Sequence, residues 1–266
     1  MTSLKLDDLL APMTRADFLD RHFRVRLLHL PGAWHRVGGA DRLSWATANR
    51  ILGMFRAIAP GTADIGIMRD KGKAVRQIPD KRSDLQFVFN DTTLQVRVAS
   101  QYYDPQALAE AMRAGAGVVI NDAHVLEAEI RRVAVAVEDF SAGRAFANLY
   151  LTSAKEGLCK AHVDAHDLFV VHVAGQKTWR FHRFFKPDIP NNINPVQHPE
   201  FDPGDIVEEI TLAPGDVLYV PWGLAHSVVT HTPSMHVSFG FTPPLRDRPT
   251  GGRIPRYQFD LPRELE

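Results

Sequence analysis

From Ala147 to Phe241 the chain is a series of short apolar segments with turn chemistry between them and few helical patterns. The candidate strands are Ala147–Leu151, Asp167–Val173, Lys177–His182, Val207–Thr211, Val217–Val220, Ser227–Thr230 and His236–Phe241. Ala174-Gly175-Gln176 and Pro214-Gly215-Asp216 supply turn residues, because glycine tolerates positive φ and proline presets its own. Strands this short, without regularly interposed helices, exclude a βαβ fold and specify a sandwich or barrel. One irregular stretch, Phe184 to Gly204, interrupts the rhythm with prolines and asparagines. A loop of that length serves as a lid, a binding loop or a disordered segment.

The first half reads differently. Thr14 with Asp17 resembles a capping box ahead of Phe18, Leu19 and Phe23. Arg26–Leu30 is a short extended segment stopped by Pro31-Gly32. Ser44 can cap a helix bearing Trp45, Ala48, Ile51, Leu52 and Phe55 at helical spacing, which reads as core. Ile65–Met68, Leu85–Phe89 and Leu94–Val98 read as strands, the last two joined as a hairpin by Asn90-Asp91-Thr92. A helix is expected from Asp104 to Met112, a buried strand at Val118–Ile120, and an amphipathic helix from Val125 to Phe140.

Composition narrows the partners. Lys plus Arg and Asp plus Glu stand at 31 each, so net charge draws the chain toward neither nucleic acid nor membrane. No apolar run approaches the ~20 residues that span a bilayer, and the N-terminus lacks a signal-peptide pattern. Cys159 is the single cysteine, which excludes an internal disulfide and multi-cysteine metal sites. The expected setting is the reducing cytoplasm.

His162 and Asp164 are two apart, so on an extended segment both side chains leave one face. Imidazole plus carboxylate suits a borderline divalent cation, and a third ligand must come from elsewhere. His226 is the candidate, delivered by Pro214-Gly215-Asp216, the apolar strand Val217–Val220 and the Pro221-Trp222-Gly223 turn. Two histidines and one carboxylate with open positions form the facial triad of non-haem Fe(II) oxygenases. A His-x-Asp in a chain of 12 histidines is unremarkable alone. The surroundings carry the weight. In Lys177–His182, residues 177, 179 and 181 share a Lys-Trp-Phe face that reads as inward. A lysine there needs an anion, and none is local, so a bound anionic ligand is the sensible partner; the alternative is a lysine that snorkels at the strand end.

His162-x-Asp164, Lys177 and the Leu212-x-Pro214-Gly215-Asp216-x-Leu218-Tyr219-x-Pro221 run leading to His226 together resemble the JmjC and cupin-type 2-oxoglutarate oxygenases, nearest to the ribosomal-oxygenase-like hydroxylases. The likeness covers roughly residues 115–245. It implies a mainly β fold with accessory helices, a double-stranded β-helix (a cupin/JmjC-like jelly-roll barrel). It implies N-terminal helical and strand elements over 1–114, the barrel over 115–245, and a short tail over 246–266. It further implies that His162, Asp164 and His226 bind Fe(II), that Lys177 pairs with the distal carboxylate of 2-oxoglutarate, and that Asn148 lies against that cosubstrate. His236 and Ser238 would support the same pocket. His166, where relatives often carry tyrosine, and Trp222 would contact substrate. The ribosomal oxygenases have further helices and a winged-helix-like region after the barrel, which is expected to be missing or replaced here.

The activity so implied is hydroxylation of an unactivated C–H bond with O2, on a peptide or protein side chain, an amino-acid-like molecule or another small molecule. Asp164 argues against a halogenase, which needs that position vacant. A metal-dependent cupin isomerase, a 2-oxoglutarate-independent dioxygenase and a non-catalytic binding module stand as alternatives, and the oligomeric state, a homodimer included, is open.

Overall fold

Along the C-terminal strands, alternate side chains go to different environments. Ala145, Ala147, Leu149 and Leu151 join the same apolar cluster as Phe169, Val171, Val217, Tyr219, Met235, Val237, Phe239 and Phe241. The residues between them, among them Leu168, Val170, Leu218 and Val220, join a second cluster with Trp179, Phe181, Leu212 and Val228. A period of two thus sorts each strand into an outward face covered by helices and an inward face turned to a second sheet. In the computed structural model this sorting builds a two-sheet barrel. The described residues are 4–54, 85–88, 95–98, 108–109, 112–113, 117–153, 159–194 and 198–242.

The strands in chain order are β1 (Leu28–Leu30), β2 (Leu85–Val88), β3 (Gln95–Val98), β4 (Gly117–Ile120), β5 (Arg144–Thr152), β6 (Cys159–His162), β7 (Asp167–Ala174), β8 (Lys177–Phe185), β9 (Ile206–Leu212), β10 (Val217–Val220), β11 (Leu224–Thr230) and β12 (Ser234–Thr242). Eight form one sheet in the order β1-β10-β7-β12-β5-β4-β2-β3, and four form the other, β6-β11-β8-β9. The interleaved order is that of a double-stranded β-helix. Segments before residue 115 also extend the large sheet: β1 pairs with β10 through Leu28↔Tyr219, and β2 pairs with β4.

Helices cover the outward face. Thr14 accepts a hydrogen bond from the Asp17 backbone at the start of α2 (Arg15–Arg21), the expected cap. Phe18 from that helix stands edge-on to Tyr219 with ring centroids 4.9 Å apart. The long helix α5 (Ala128–Ser141) buries Ile130, Val133, Val137 and Phe140, as its periodicity requires. It starts three residues later than the sequence suggests, because Ala123–Val125 forms a 3-10 turn behind a left-handed Asp122 and leaves Val125 exposed. In the helix Trp45–Met54, Ala48, Ile51 and Leu52 are core, but Trp45 is 40% exposed. It stands at the first helical position, so helical spacing alone overstated its burial. The strand expected at Ile65–Met68, most of the helix expected at 104–112 and the tail 246–266 lie outside the described residues. The 85–98 hairpin forms, with Leu85↔Val98 in register. Among the described residues no helix is long and apolar enough to cross a membrane.

Candidate metal centre and the lysine behind it

Antiparallel pairing brings the two histidines together. His162 closes β6 and His226 lies on β11, and the two are direct cross-strand partners with ring centroids 4.3 Å apart. Asp164 follows β6 by two residues. Its Oδ2 lies 3.9 Å from His162 Nε2 and 3.7 Å from His226 Nε2. One ligand atom from each residue falls within 4.8 Å of the other two.

The ring nitrogens on the far side fix the tautomers. His162 Nδ1 is 2.9 Å from the Lys160 carbonyl and His226 Nδ1 is 3.0 Å from the Leu224 carbonyl. A carbonyl only accepts, so each Nδ1 carries a proton and each Nε2 is the nitrogen turned toward Asp164. Burial would raise the Asp164 carboxyl, but His166, His162 and His226 outweigh it and hold it below the ordinary carboxylate range. Burial and the neighbouring His162 push His226 down to about 4. His162 moves the other way: burial would lower it, but Cys159 and Asp164 raise it to about 10. Two imidazole Nε2 atoms and an ionised carboxylate, closely grouped and partly open to solvent, fit a divalent cation with free coordination positions, the cation taking the place of the proton that His162 holds without it.

Behind this trio the barrel interior is basic. Lys177, Trp179 and Phe181 all face inward and are buried, as the alternation requires. Lys177 Nζ is 2.8 Å from His236 Nδ1, and among the described residues it forms no ion pair. Burial lowers its pKa to about 7. Burial, then Lys177 and His172, hold His236 well below its usual range, so the imidazole is neutral and Nδ1 accepts from the ammonium. Trp179 joins the two regions, stacked on His226 at 5.4 Å and edge-on to His236 at 5.8 Å. Its indole Nε1 is buried and has no hydrogen-bond partner among the described residues.

The remaining expected residues divide. Asn148 and Ser238 are cross-strand partners on β5 and β12, on the inward face with His236. Asn148 Oδ1 accepts from the Asp122 amide at 3.3 Å. His166 sits at the mouth, Nε2 3.9 Å from Asp164 Oδ2, its ring edge-on to Phe146. Trp222, expected on a substrate wall, is instead buried: its Nε1 donates to the Ile189 carbonyl and it packs with Val163, Ile189 and Ala225. A large apolar ring in the turn after β10 is better satisfied beneath the 184–204 stretch than in water. Sequence reasoning missed Tyr150 and His172. Tyr150 stacks flat on His236, 4.6 Å between centroids and 2° between planes. His172 is fully buried, with Nδ1 unpartnered among the described residues. Both follow from strand parity, since Tyr150 is two from Asn148 and His172 pairs with His236 across β7 and β12.

Comparison with known proteins shows what the barrel is similar to. A JmjC domain model matches residues 121–247. The chain is 30% identical over 112 residues to the bifunctional lysine-specific demethylase and histidyl-hydroxylase NO66 of Drosophila persimilis, covering 41% of this chain and 16% of that protein. It is 28% identical over 108 residues to ribosomal oxygenase 2 of Rattus norvegicus, covering 41% and 23%. The match therefore spans less than a quarter of either relative. The structure of the Escherichia coli ribosomal oxygenase YcfD in complex with cobalt and 2-oxoglutarate superposes with a TM-score of 0.57 at 14% identity, over 96% of this chain and 64% of that one. At that identity the likeness speaks for the fold. Residues 121–247 are thus similar to a JmjC domain, and the chain resembles ribosomal oxygenases in sequence over part of its length and in fold.

Proposed function

We propose that this JmjC, ribosomal-oxygenase-like chain is an Fe(II)- and 2-oxoglutarate-dependent oxygenase that hydroxylates a C–H bond of a peptide or protein side chain. The observation that carries the reading is the pairing of a three-ligand group with a buried lysine that has no counter-charge among the described residues. His162, Asp164 and His226 would hold the iron. Lys177 would bind the distal carboxylate of 2-oxoglutarate, because a buried ammonium without an anion is costly and a dicarboxylate removes the cost. When bound, the iron and 2-oxoglutarate supply the oxidising chemistry, consuming O2 and releasing succinate and carbon dioxide.

The chain's own residues bind, orient and exclude water. His236 accepts from Lys177 and, clamped between Tyr150 and the edge of Trp179, fixes where the ammonium points. The buried Trp179 Nε1 has a donor to offer a bound oxygen. Asn148 and Ser238 extend the polar lining toward the mouth, where His166 and Phe146 stand beside Asp164. In this reading residues 115–245 are the catalytic barrel and residues 1–114 pack against it and extend its sheet. A protein-side-chain substrate is supported by what the relatives' names say of them, histidyl hydroxylation and lysine demethylation.

The test is uncoupled turnover. Purified protein with Fe(II), ascorbate and 2-oxoglutarate should form succinate, measurable by NMR, and His162→Ala should form none above background. Folded, iron-supplied wild-type protein that leaves 2-oxoglutarate intact would overturn the proposal in favour of a cupin-type isomerase or a binding module. A screen for a +16 Da shift on candidate peptides then identifies the substrate.

A further inference from the structure

The stretch after β8 is built as a brace rather than as a free flap. Val163, between the two proposed ligands of the His-x-Asp motif, exchanges both backbone hydrogen bonds with Ile193: Val163 N–H to Ile193 O at 2.8 Å, and Ile193 N–H to Val163 O at 2.9 Å. One residue past the carboxylate ligand, the Ala165 N–H donates to Asn192 Oδ1 at 2.6 Å. The carbonyl of Asp164 itself accepts from Gly223 N–H at 3.1 Å. Asp164 belongs to no strand, so these contacts from outside the motif replace the ladder that would otherwise define its backbone.

The brace is itself anchored. Gly223 has φ +86, and a Cβ there would come within 1.9 Å of the Lys186 carbonyl, so only glycine lets that turn approach closely enough to reach Asp164. Lys186 N–H returns a hydrogen bond to Gly223 O at 3.0 Å. Farther along, Arg24 joins the stretch to the barrel, with Nη1 on Asp188 and Nε on the buried Asp167, each at 2.9 Å.

We infer that Asn192 is a positioning residue for the metal site, holding the Ala165 amide so that the Asp164 carboxylate stays aimed at the two histidine Nε2 atoms. The inference rests on the metal reading above. Asn192 is the one side chain among the described residues that bonds the backbone next to Asp164, whereas the other contacts are made by backbone groups, one of them dependent on Gly223. Loss of a partner of this kind lowers metal affinity by about tenfold or more, with little effect on a fold whose core lies elsewhere.

The experiment is a Co(II) titration of wild type, Asn192→Ala and Asn192→Asp, followed by visible absorption, with His162→Ala as the control and thermal melts on all four. Asn192→Ala should raise the Kd for Co(II) about tenfold at an unchanged melting temperature, and Asn192→Asp, which keeps an oxygen acceptor, should return it to within about threefold of wild type. A Kd for Asn192→Ala within twofold of wild type overturns the inference and leaves the metal site standing. Wild-type protein that binds no Co(II), or binds it equally well as His162→Ala, overturns the metal reading and the inference together. Amide hydrogen exchange gives a readout independent of metal and of the variants' folding. Ala165 N–H should exchange slowly in the wild-type protein, and rapid exchange there overturns the brace.

Discussion

The mouth of the barrel and its closed end are both crowded with titratable groups, yet their charges are arranged in opposite ways. At the mouth, Asp164 lies within 3.9 Å of three imidazole Nε2 atoms, those of His162, His166 and His226. The carboxylate and the histidines answer one another there without any ligand. At the closed end, Lys177, His236 and His172 are all buried, and none of them pairs with a carboxylate among the described residues. A self-compensated cluster is ready to exchange protons for a cation, whereas a one-signed buried cluster is a deficit that an anion would fill. The polarity of the proposed ligands follows: metal at the mouth, carboxylate at the base, with Trp179 touching both regions.

The largest expected effect removes the mouth altogether. Asp164→Ala should abolish metal-dependent succinate formation, because the remaining pair of histidines cannot define an open three-ligand site. Its cost in stability should be small, since the carboxylate is partly exposed. Succinate assays with parallel urea melts check this. Wild-type turnover in Asp164→Ala would move the metal elsewhere.

Next is the closed end, where function and stability should part company. Lys177→Met keeps the stem's volume and deletes the uncompensated charge. The ligand-free protein should gain about 1–2 kcal/mol at pH 7, while the 2-oxoglutarate concentration needed for half-maximal succinate formation should rise by about two orders of magnitude. Urea unfolding and a 2-oxoglutarate titration read the two numbers. A destabilised variant would make Lys177 structural and erase the contrast between the two ends.

The same lysine gives a pH signature. Its pKa is lowered by burial from 10.5 to about 7, and the groups facing it are Cys159 from β6, His172 from β7 and His236 from β12. Between about pH 7 and 10.5 the unfolded chain binds the proton that the folded one has lost. Stability from this group therefore rises with pH in that window, by at most about 1.4 kcal/mol per unit, and the penalty is fully present below pH 7. A dicarboxylate needs the ammonium, so its affinity should be level below about pH 7 and fall above it, by up to about tenfold per unit. Comparing wild type with Lys177→Met from pH 6 to 9 isolates both slopes. A wild-type stability curve parallel to the variant's would break the assignment.

Much of this contrast was legible in the sequence, for a definite reason. Strand parity and a two-residue spacing are local properties, so His162 with Asp164, and Lys177 with Trp179 and Phe181, could be placed on their faces without knowing the fold. The motif order leading to His226 added the third proposed ligand. Cross-strand partners are different, because they depend on which strands the topology brings together. Tyr150 became visible only once β5 was seen beside β12, and Asn192 only once its stretch was seen against Val163 and Ala165. Trp222 was misplaced for the same reason: a motif shows that a ring is near the site, but its burial depends on a stretch some thirty residues upstream.

The smallest expected effect tests whether the two ends are separable along one strand. On β12 the inward positions are Ser234, His236, Ser238 and Gly240, so the strand runs from the closed end to the mouth. A Cβ at Gly240 would sit 2.2 Å from Phe146 Cζ and 2.7 Å from His166 Cδ2. Both are ring atoms at the ends of side chains that can swing, so Gly240→Ala should be accommodated by displacing Phe146 and His166 rather than the strand. Overpacking of this kind costs about 1–3 kcal/mol, and the lower end applies where the neighbours face a mouth that can yield. The lysine lies at the other end of the same face, so half-saturation by 2-oxoglutarate should stay within about twofold of wild type while the urea midpoint falls. A joint loss of stability and cosubstrate affinity would show the interior to be one mechanically coupled unit, and the separation of mouth from closed end would fail at its weakest point.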